Sequence, residues 1–262
     1  MTPDSAGRIE MLNGVPIYFE VHGNGEPVLL LHGFSGCSQD WTRTLGIEAL
    51  TAGGGFQLII PDLRGHGRSF AQMDSAAARE TTPWRHDLAT GDMIALLDHL
   101  GIQTVKGIGV SGGGNVLLHM ATKHPERVKA MVLVSATSYF PAQARTLMRA
   151  YAENLPAAER DNLRCRHPGG DAQIDVLLAS TKAFANSYDD MNFTPPYLGR
   201  ITARTMIVQG DRDPLYPVEI SVEMAKAIPQ SSLWIVPNAG HGAVLGERWQ
   251  EFLKTSAEFL RG

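Results

Sequence analysis

The sequence predicts an α/β fold: a mostly parallel central sheet with helices on both faces and an inserted helical segment. Three observations predict it. Short, continuously apolar runs of strand length recur at residues 28–31, 56–60, 105–110, 131–134, 205–208 and 233–236, and such runs suit strands buried on both faces. Segments with helical spacing lie between most of them, the alternation that builds a parallel sheet. Between residues 140 and 201 there is no convincing strand, and that stretch is too long for an ordinary connection.

Taken in order, the chain starts with two alternating runs, residues 8–12 and 15–21, that read as edge strands. Asn13-Gly14 between them is a strong hairpin signal. The six buried strands follow, with helices expected at 87–100, 113–124, 217–228 and 246–260. In the strandless stretch, residues 142–154 and 174–187 look helical. We therefore divide the chain into a core, 1–139 and 201–262, and a helical cap insertion, 140–200, placed where it can close over the sheet. Ligands of such folds bind beyond the carboxyl ends of the strands.

Bulk properties narrow the function. The 262 residues carry 23 basic and 27 acidic side chains, a net charge of −4, with no long run of either sign. That excludes a nucleic-acid footprint and a polybasic membrane patch. Two cysteines, Cys37 and Cys165, make no disulfide framework and point to a reducing compartment. The first residues lack the basic-then-apolar pattern of a signal peptide, and no apolar run reaches the roughly 18 residues of a membrane span. A cytoplasmic protein without membrane contact is expected. The nine histidines show no His-Glu-x-x-His spacing, and no phosphate-binding or dinucleotide-binding glycine loop occurs, so neither metal nor cofactor is expected.

The chemistry centres on Ser111, in Gly109-Val110-Ser111-Gly112-Gly113, directly after one predicted strand and before one predicted helix. Glycines at both second neighbours suit a sharp, strained strand-to-helix turn in which side chains on either flank would collide with strand or helix. A serine hydroxyl is a weak nucleophile at neutral pH and needs a base that is itself oriented by an acid. His241, between Gly240 and Gly242 after the last strand, is the base candidate. Asp211 and Asp213 both follow the preceding strand; we favour Asp213, which lies deeper in the loop with Pro214 fixing the chain beyond it. Asp211 is assigned to capping the turn or pairing with Arg212. The end of the strand before that carries Ser135-Ala136-Thr137-Ser138 and no carboxylate, which strengthens Asp213. An oxyanion also needs donors: the N–H of Gly112, at a helix start, and that of Phe34, in the loop after residues 28–31. Cys37 reads as an inert thiol near the pocket, and the segment from Asp62 to Ser69 as a hydrogen-bonded turn supporting the site. His86, His99, His119 and His124 are expected to be structural or exposed.

The ordered motifs His32-Gly33, Asp62-x-Arg64-Gly65-x-Gly67-x-Ser69, Gly109-x-Ser111-x-Gly113, Gly210-Asp211-x-Asp213-Pro214 and Gly240-His241 resemble those of the α/β-hydrolase fold superfamily over nearly the whole chain. The resemblance implies Ser111 as nucleophile, His241 as base, Asp213 as acid, the Phe34 and Gly112 amides as oxyanion hole, and a cap after the sixth strand. Dehalogenases and epoxide hydrolases of the fold carry aspartate at the position of Ser111, so serine argues against both. A serine hydrolase cleaving carboxylic esters of small to medium, largely apolar substrates through an acyl-enzyme is the expectation. The alternatives are other chemistry of the same three residues (C–C bond hydrolysis, lactone opening, cofactor-free perhydrolysis) or a hydrolase-like ligand receptor with slow turnover. Val110, Tyr139, Phe184, Tyr188, Met191 and Phe193 are the candidate pocket residues; the aromatics from 184 to 197 either line that pocket or pack the cap onto the core.

Overall fold

The computed structural model describes residues 7–44, 47–51, 55–70 and 84–262. β1 (Arg8–Leu12) and β2 (Val15–Gly23) pair antiparallel with Leu12 opposite Val15. That register leaves Asn13 and Gly14 as a two-residue loop, both with positive φ of 50° and 77°, the turn whose twist matches a hairpin. Of the two strands expected at an edge, β1 alone is one: β2 also pairs antiparallel with β4 (Phe56–Pro61). Alternation in β2 shows one face against the core and says nothing of which strands flank it.

The remaining strands, β3 (Glu26–Leu31), β5 (Val105–Val110), β6 (Val128–Val134), β7 (Arg204–Gly210) and β8 (Ser231–Val236), join β4 in parallel. The sheet runs β1-β2-β4-β3-β5-β6-β7-β8. β6 and β8 start earlier than their apolar runs because backbone pairing reaches back to Val128, past the register shift at Lys129, and to Ser231 and Ser232. Among the described residues α1 (Glu48–Thr51) follows β3, α2 (His86–His99) follows β4, and α3 (Gly112–Lys123) follows β5. Four helices then lie between β6 and β7: α4 (Ala142–Glu153), α5 (Ala157–Arg166), α6 (Gly170–Asn186) and α7 (Pro195–Leu198). α8 (Val218–Ala227) joins β7 to β8, and α9 (Trp249–Arg261) follows β8. α5 escapes the apolar periodicity because it buries a single hydrophobic side chain, Leu163. α9 starts at Trp249 rather than residue 246, because Gly246 has a φ of +76° and opens a short 3₁₀ turn.

Side chains alternate across the sheet as a strand demands. Leu29, Leu31, Met131, Leu133 and Ile207 face α2, α3 and α8; Val28, Leu30, Val132, Val134 and Val208 face α9, through Phe252, Leu253 and Leu260. Both faces are dry, which is why the central strands read as unbroken apolar runs. The helices between β6 and β7 are tied to the loops at the strand ends. Gln173 of α6 donates to the carbonyls of Gly65 and Gly67, both at 2.9 Å. His167, just past α5, accepts the Gly67 N–H at 3.0 Å and donates from Nε2 to Ser35 O at 3.1 Å. Among the described residues no helix is long and apolar enough to cross a membrane.

Candidate active site

Ser111 sits at the junction of β5 and α3 with φ 50° and ψ −115°, a conformation that costs a non-glycine residue roughly 1–3 kcal/mol and persists where the surroundings enforce it. The surroundings do enforce it. The Ser111 N–H donates to Val134 O at 2.7 Å and its carbonyl accepts the Asn115 N–H at 2.9 Å. A Cβ on Gly109 would lie 2.5 Å from Gly113 O, and one on Gly113 would lie 2.4 Å from Leu31 O. Strand and helix thus approach to backbone contact, and the turn between them has one way to go, lifting the serine side chain above the sheet.

His241 bridges Ser111 and Asp213. Its Nδ1–H donates to Asp213 Oδ2 at 2.8 Å, which leaves Nε2 to accept the Ser111 hydroxyl, also at 2.8 Å. The Asp213 side chain is fully buried, so an unmatched charge there would be costly, but every lone-pair direction is used. Oδ1 accepts the N–H groups of Leu215 and Tyr216 at 2.8 and 3.1 Å, and Oδ2 accepts Gln209 Nε2–H at 2.9 Å. Burial works against ionisation, yet the His241 imidazole and these donors outweigh it and hold the carboxyl below its ordinary range. Asp211 is exposed and accepts the Ala239 N–H of the His241 loop at 3.3 Å, where the sequence predicts a cap of its own turn or a pair with Arg212.

The backbones that carry the two expected oxyanion donors, Phe34 and Gly112, come close together. The Gly33 carbonyl is held by His32 Nδ1–H at 2.8 Å and the Gly36 N–H at 3.0 Å. Because a trans peptide sets its C=O and N–H in opposite directions, the Phe34 N–H is turned the other way. A Cβ on Gly112 would lie 3.2 Å from Phe34 N, so the two backbones converge. Beside them opens a cavity of about 800 Å³, reached by Ser111 and His241 and walled mainly by apolar side chains, among them Trp41, Phe140, Met148 and Phe184. Leu147 and Leu245, both exposed, border it.

A family model described as alpha/beta hydrolase fold matches residues 26–169, more than half of the chain. The chain belongs to the α/β-hydrolase fold family. A second model, described as TAP-like protein, matches residues 190–260 of this hydrolase. Among curated relatives, a putative carbamate hydrolase, RutD, of Variovorax paradoxus is 30% identical, over 87% of this chain and 90% of its own. A 2-hydroxymuconate semialdehyde hydrolase of Pseudomonas putida is 25% identical, over 97% of this chain and 94% of its own. The solved esterase EaEST from Exiguobacterium antarcticum matches with a TM-score of 0.78 at 21% identity, covering 98% of this chain and all of that one, a likeness of fold.

Of the six predicted pocket residues, this hydrolase places Val110 and Phe184 in the cavity wall and four elsewhere. Tyr139 is 40% exposed and bridges Asn192 outside it. Tyr188 is 72% exposed, with the Arg145 guanidinium over its ring at 3.9 Å. Met191 and Phe193 are buried core, Phe193 packing on His119 and stacking on Tyr197. For those two the aromatic-rich segment packs the helices onto the core, since it runs back along α3 toward β7. His86 and Asn115 also line the cavity, as does Tyr216, whose buried phenol stays protonated above its ordinary range. Sequence reasoning passed over His86 as one helix-associated histidine among several. His99 and His124 are indeed partly exposed and His119 is buried. The segment from Asp62 to Ser69 is a supporting turn: Asp62 accepts the N–H groups of Ser38 and Arg68 at 2.6 and 2.7 Å. Cys37 is buried outside the cavity wall, and burial with Asp40 and Asp62 nearby pushes its thiol up to about 11. Among the described residues no cluster of three His, Cys, Asp or Glu is placed to hold a metal.

Proposed function

We propose that this hydrolase cleaves carboxylic esters of small to medium, largely apolar substrates through an acyl-enzyme. The observation that carries it is the imidazole of His241 at 2.8 Å from both Ser111 Oγ and Asp213 Oδ2, at the edge of an apolar cavity. Ser111 Oγ attacks the ester carbon while His241 Nε2 takes its proton, and Asp213 stabilises the imidazolium that forms. The tetrahedral oxyanion is met by the Phe34 and Gly112 N–H groups and by the positive end of α3. His241 returns the proton to the leaving alcohol, then activates water to release the acid. In this reading residues 140–200 act as the cap that shapes the substrate space.

The test is a panel of p-nitrophenyl esters of rising acyl length, with Ser111→Ala alongside and fluorophosphonate labelling mapped by mass spectrometry. Turnover that is lost in Ser111→Ala, with the label on Ser111, is expected; label elsewhere, or full activity in the variant, overturns the mechanism. The relative that spans 97% of the chain and is named a semialdehyde hydrolase supports a second reading, C–C bond hydrolysis by the same residues. Turnover of such a semialdehyde above that of every ester would put it in first place.

A further inference from the structure

A second carboxylate–imidazole pair reaches the same cavity. His86, the first residue of α2, and Asp190, between α6 and α7, are both almost wholly buried. His86 Nδ1–H donates to Asp190 Oδ2 at 2.7 Å, and the His86 N–H donates to that oxygen at 3.2 Å. Asp190 Oδ1 accepts the Asp87 N–H at 3.4 Å, and the Asp190 backbone carbonyl accepts His119 Nε2–H at 2.7 Å. With Nδ1 carrying the proton, Nε2 of His86 carries the lone pair. That atom lies 3.4 Å from Asn115 Nδ2, long for a hydrogen bond, and a Cβ on Gly112 would sit 3.7 Å from it. Asn115 is oriented in turn, since its Oδ1 accepts the Thr137 N–H at 3.0 Å.

Packing alone does not call for this arrangement, because an aromatic hydrocarbon would fill the wall without burying a carboxylate behind it. Phe140 and Phe184 do fill it so, with ring centroids 5.9 and 5.2 Å from His86. A few oriented polar atoms in an otherwise apolar cavity are what fixes a ligand's orientation. The side of the substrate follows from Gly112. The Cβ position of Gly112 lies 3.7 Å from His86 Nε2, so a group at His86 sits next to a carbonyl oxygen held at the Gly112 N–H, on the acyl part of the substrate.

We propose that His86, oriented by Asp190, accepts a hydrogen bond from a hydroxyl on the carbon next to the scissile carbonyl, and so selects 2-hydroxyacyl esters. Asn115 Nδ2–H donates to the oxygen of the same hydroxyl. This rests on the ester reading above and adds the substrate class. The test compares p-nitrophenyl esters of 2-hydroxybutyric, 2-methylbutyric and 2-methoxybutyric acids, each enantiomer, with kcat/KM normalised to the rate in hydroxide. The methyl group matches the hydroxyl in size, and the methoxy group keeps the oxygen but lacks the proton. One hydroxy enantiomer is expected to exceed both others by about tenfold, the worth of one buried hydrogen bond. That ratio is expected to fall toward one in His86→Phe and to drop in Asp190→Asn. Equal normalised rates in the parent protein overturn the subsite without any variant having to fold, and so does a ratio that His86→Phe leaves intact. If the methyl ester turns over through Ser111 without hydroxyl preference, the subsite alone falls. If none of the three esters is hydrolysed, the ester reading falls and takes the subsite with it.

Discussion

Ser135 Oγ–H donates to the backbone carbonyl of His241 at 2.6 Å, tying the loop that carries the imidazole to the end of β6. Ser135 is buried, has a φ of +49°, and is itself pinned by its N–H to Val208 O at 2.9 Å. The His241 loop is thus held from two strands, since Arg212 N–H after β7 also donates to Ala239 O at 2.9 Å. Ser135→Ala leaves the His241 carbonyl unpaired. A loss of about 1 kcal/mol in denaturant unfolding is expected, with kcat on the ester panel down about tenfold and KM little changed. An unchanged kcat would show that the Ser135 contact does not position the imidazole.

Asp213 and Asp211 are separated by a single residue and differ completely in surroundings. Asp213→Asn keeps the volume but offers an amide where the His241 Nδ1–H now finds a carboxylate, so the wrong imidazole tautomer is favoured. kcat is expected to fall by about 10⁴-fold. Asp211→Asn alters one exposed 3.3 Å contact to Ala239 N and is expected to change kcat by less than about threefold. Comparable losses in the two variants would contradict the assignment of the acid.

Gly113 faces backbone, and backbone cannot step aside. Its added Cβ would lie 2.4 Å from Leu31 O and 2.6 Å from His32 O, so Gly113→Ala must push α3 away from β3. Thermal unfolding is expected to show a loss of about 3 kcal/mol, together with fluorophosphonate labelling of Ser111 slowed at least tenfold. Gly65→Ala is the contrast: nothing lies within 4 Å of its Cβ, and the cost is that of a φ of +74° alone, about 1 kcal/mol.

The sheet and the Ser111 turn were legible because both are local facts of the chain: apolar runs for strands buried twice over, and glycines where backbones meet. That Asp213 meets the His241 imidazole accords with its place after a strand and before Pro214. The pocket wall was not legible. Phe184 and Phe193 are both aromatics of one segment, yet one faces the cavity and the other packs on His119. That difference depends on how α6 and α7 sit on α3, which no residue spacing within the segment encodes. His86 was missed for the same reason, since its partner Asp190 is 104 residues away.

Asp190 also gives stability a pH dependence. Burial opposes its ionisation, but the hydrogen bonds that His86 donates from its ring and its backbone prevail and bring the carboxyl down to about 2. A carboxyl depressed on folding stabilises the native state fully above its unfolded value, about 3.9, and loses that contribution as pH falls through the folded value. The parent protein is therefore expected to lose on the order of 2 kcal/mol between about pH 4 and pH 2 through this group. Asp190→Asn should be less stable than the parent near neutrality, with the gap narrowing over that window in urea titrations. A gap independent of pH would show that Asp190 is not ionised in the folded protein.

Phe184 lines the cavity, and on the ester reading it is expected to limit the length of acyl chain taken. Its ring contacts those of Phe34, Trp84 and His86 with centroids 5.1, 5.4 and 5.2 Å away, and it is 4% exposed. Removing it enlarges a space also bounded by Phe140 and Met148. Phe184→Ala is expected to cost about 3 kcal/mol of stability and to move the ester optimum to longer acyl chains, because the freed volume adjoins the acyl side of Ser111. Phe184→Met fills most of that volume with a flexible side chain, so a loss under about 1.5 kcal/mol is expected, with an intermediate optimum. Parent, Met and Ala thus form a series in which acyl optimum and stability move in opposite directions. An optimum that stays fixed while stability falls would mean that Phe184 packs the helices and does not bound the substrate.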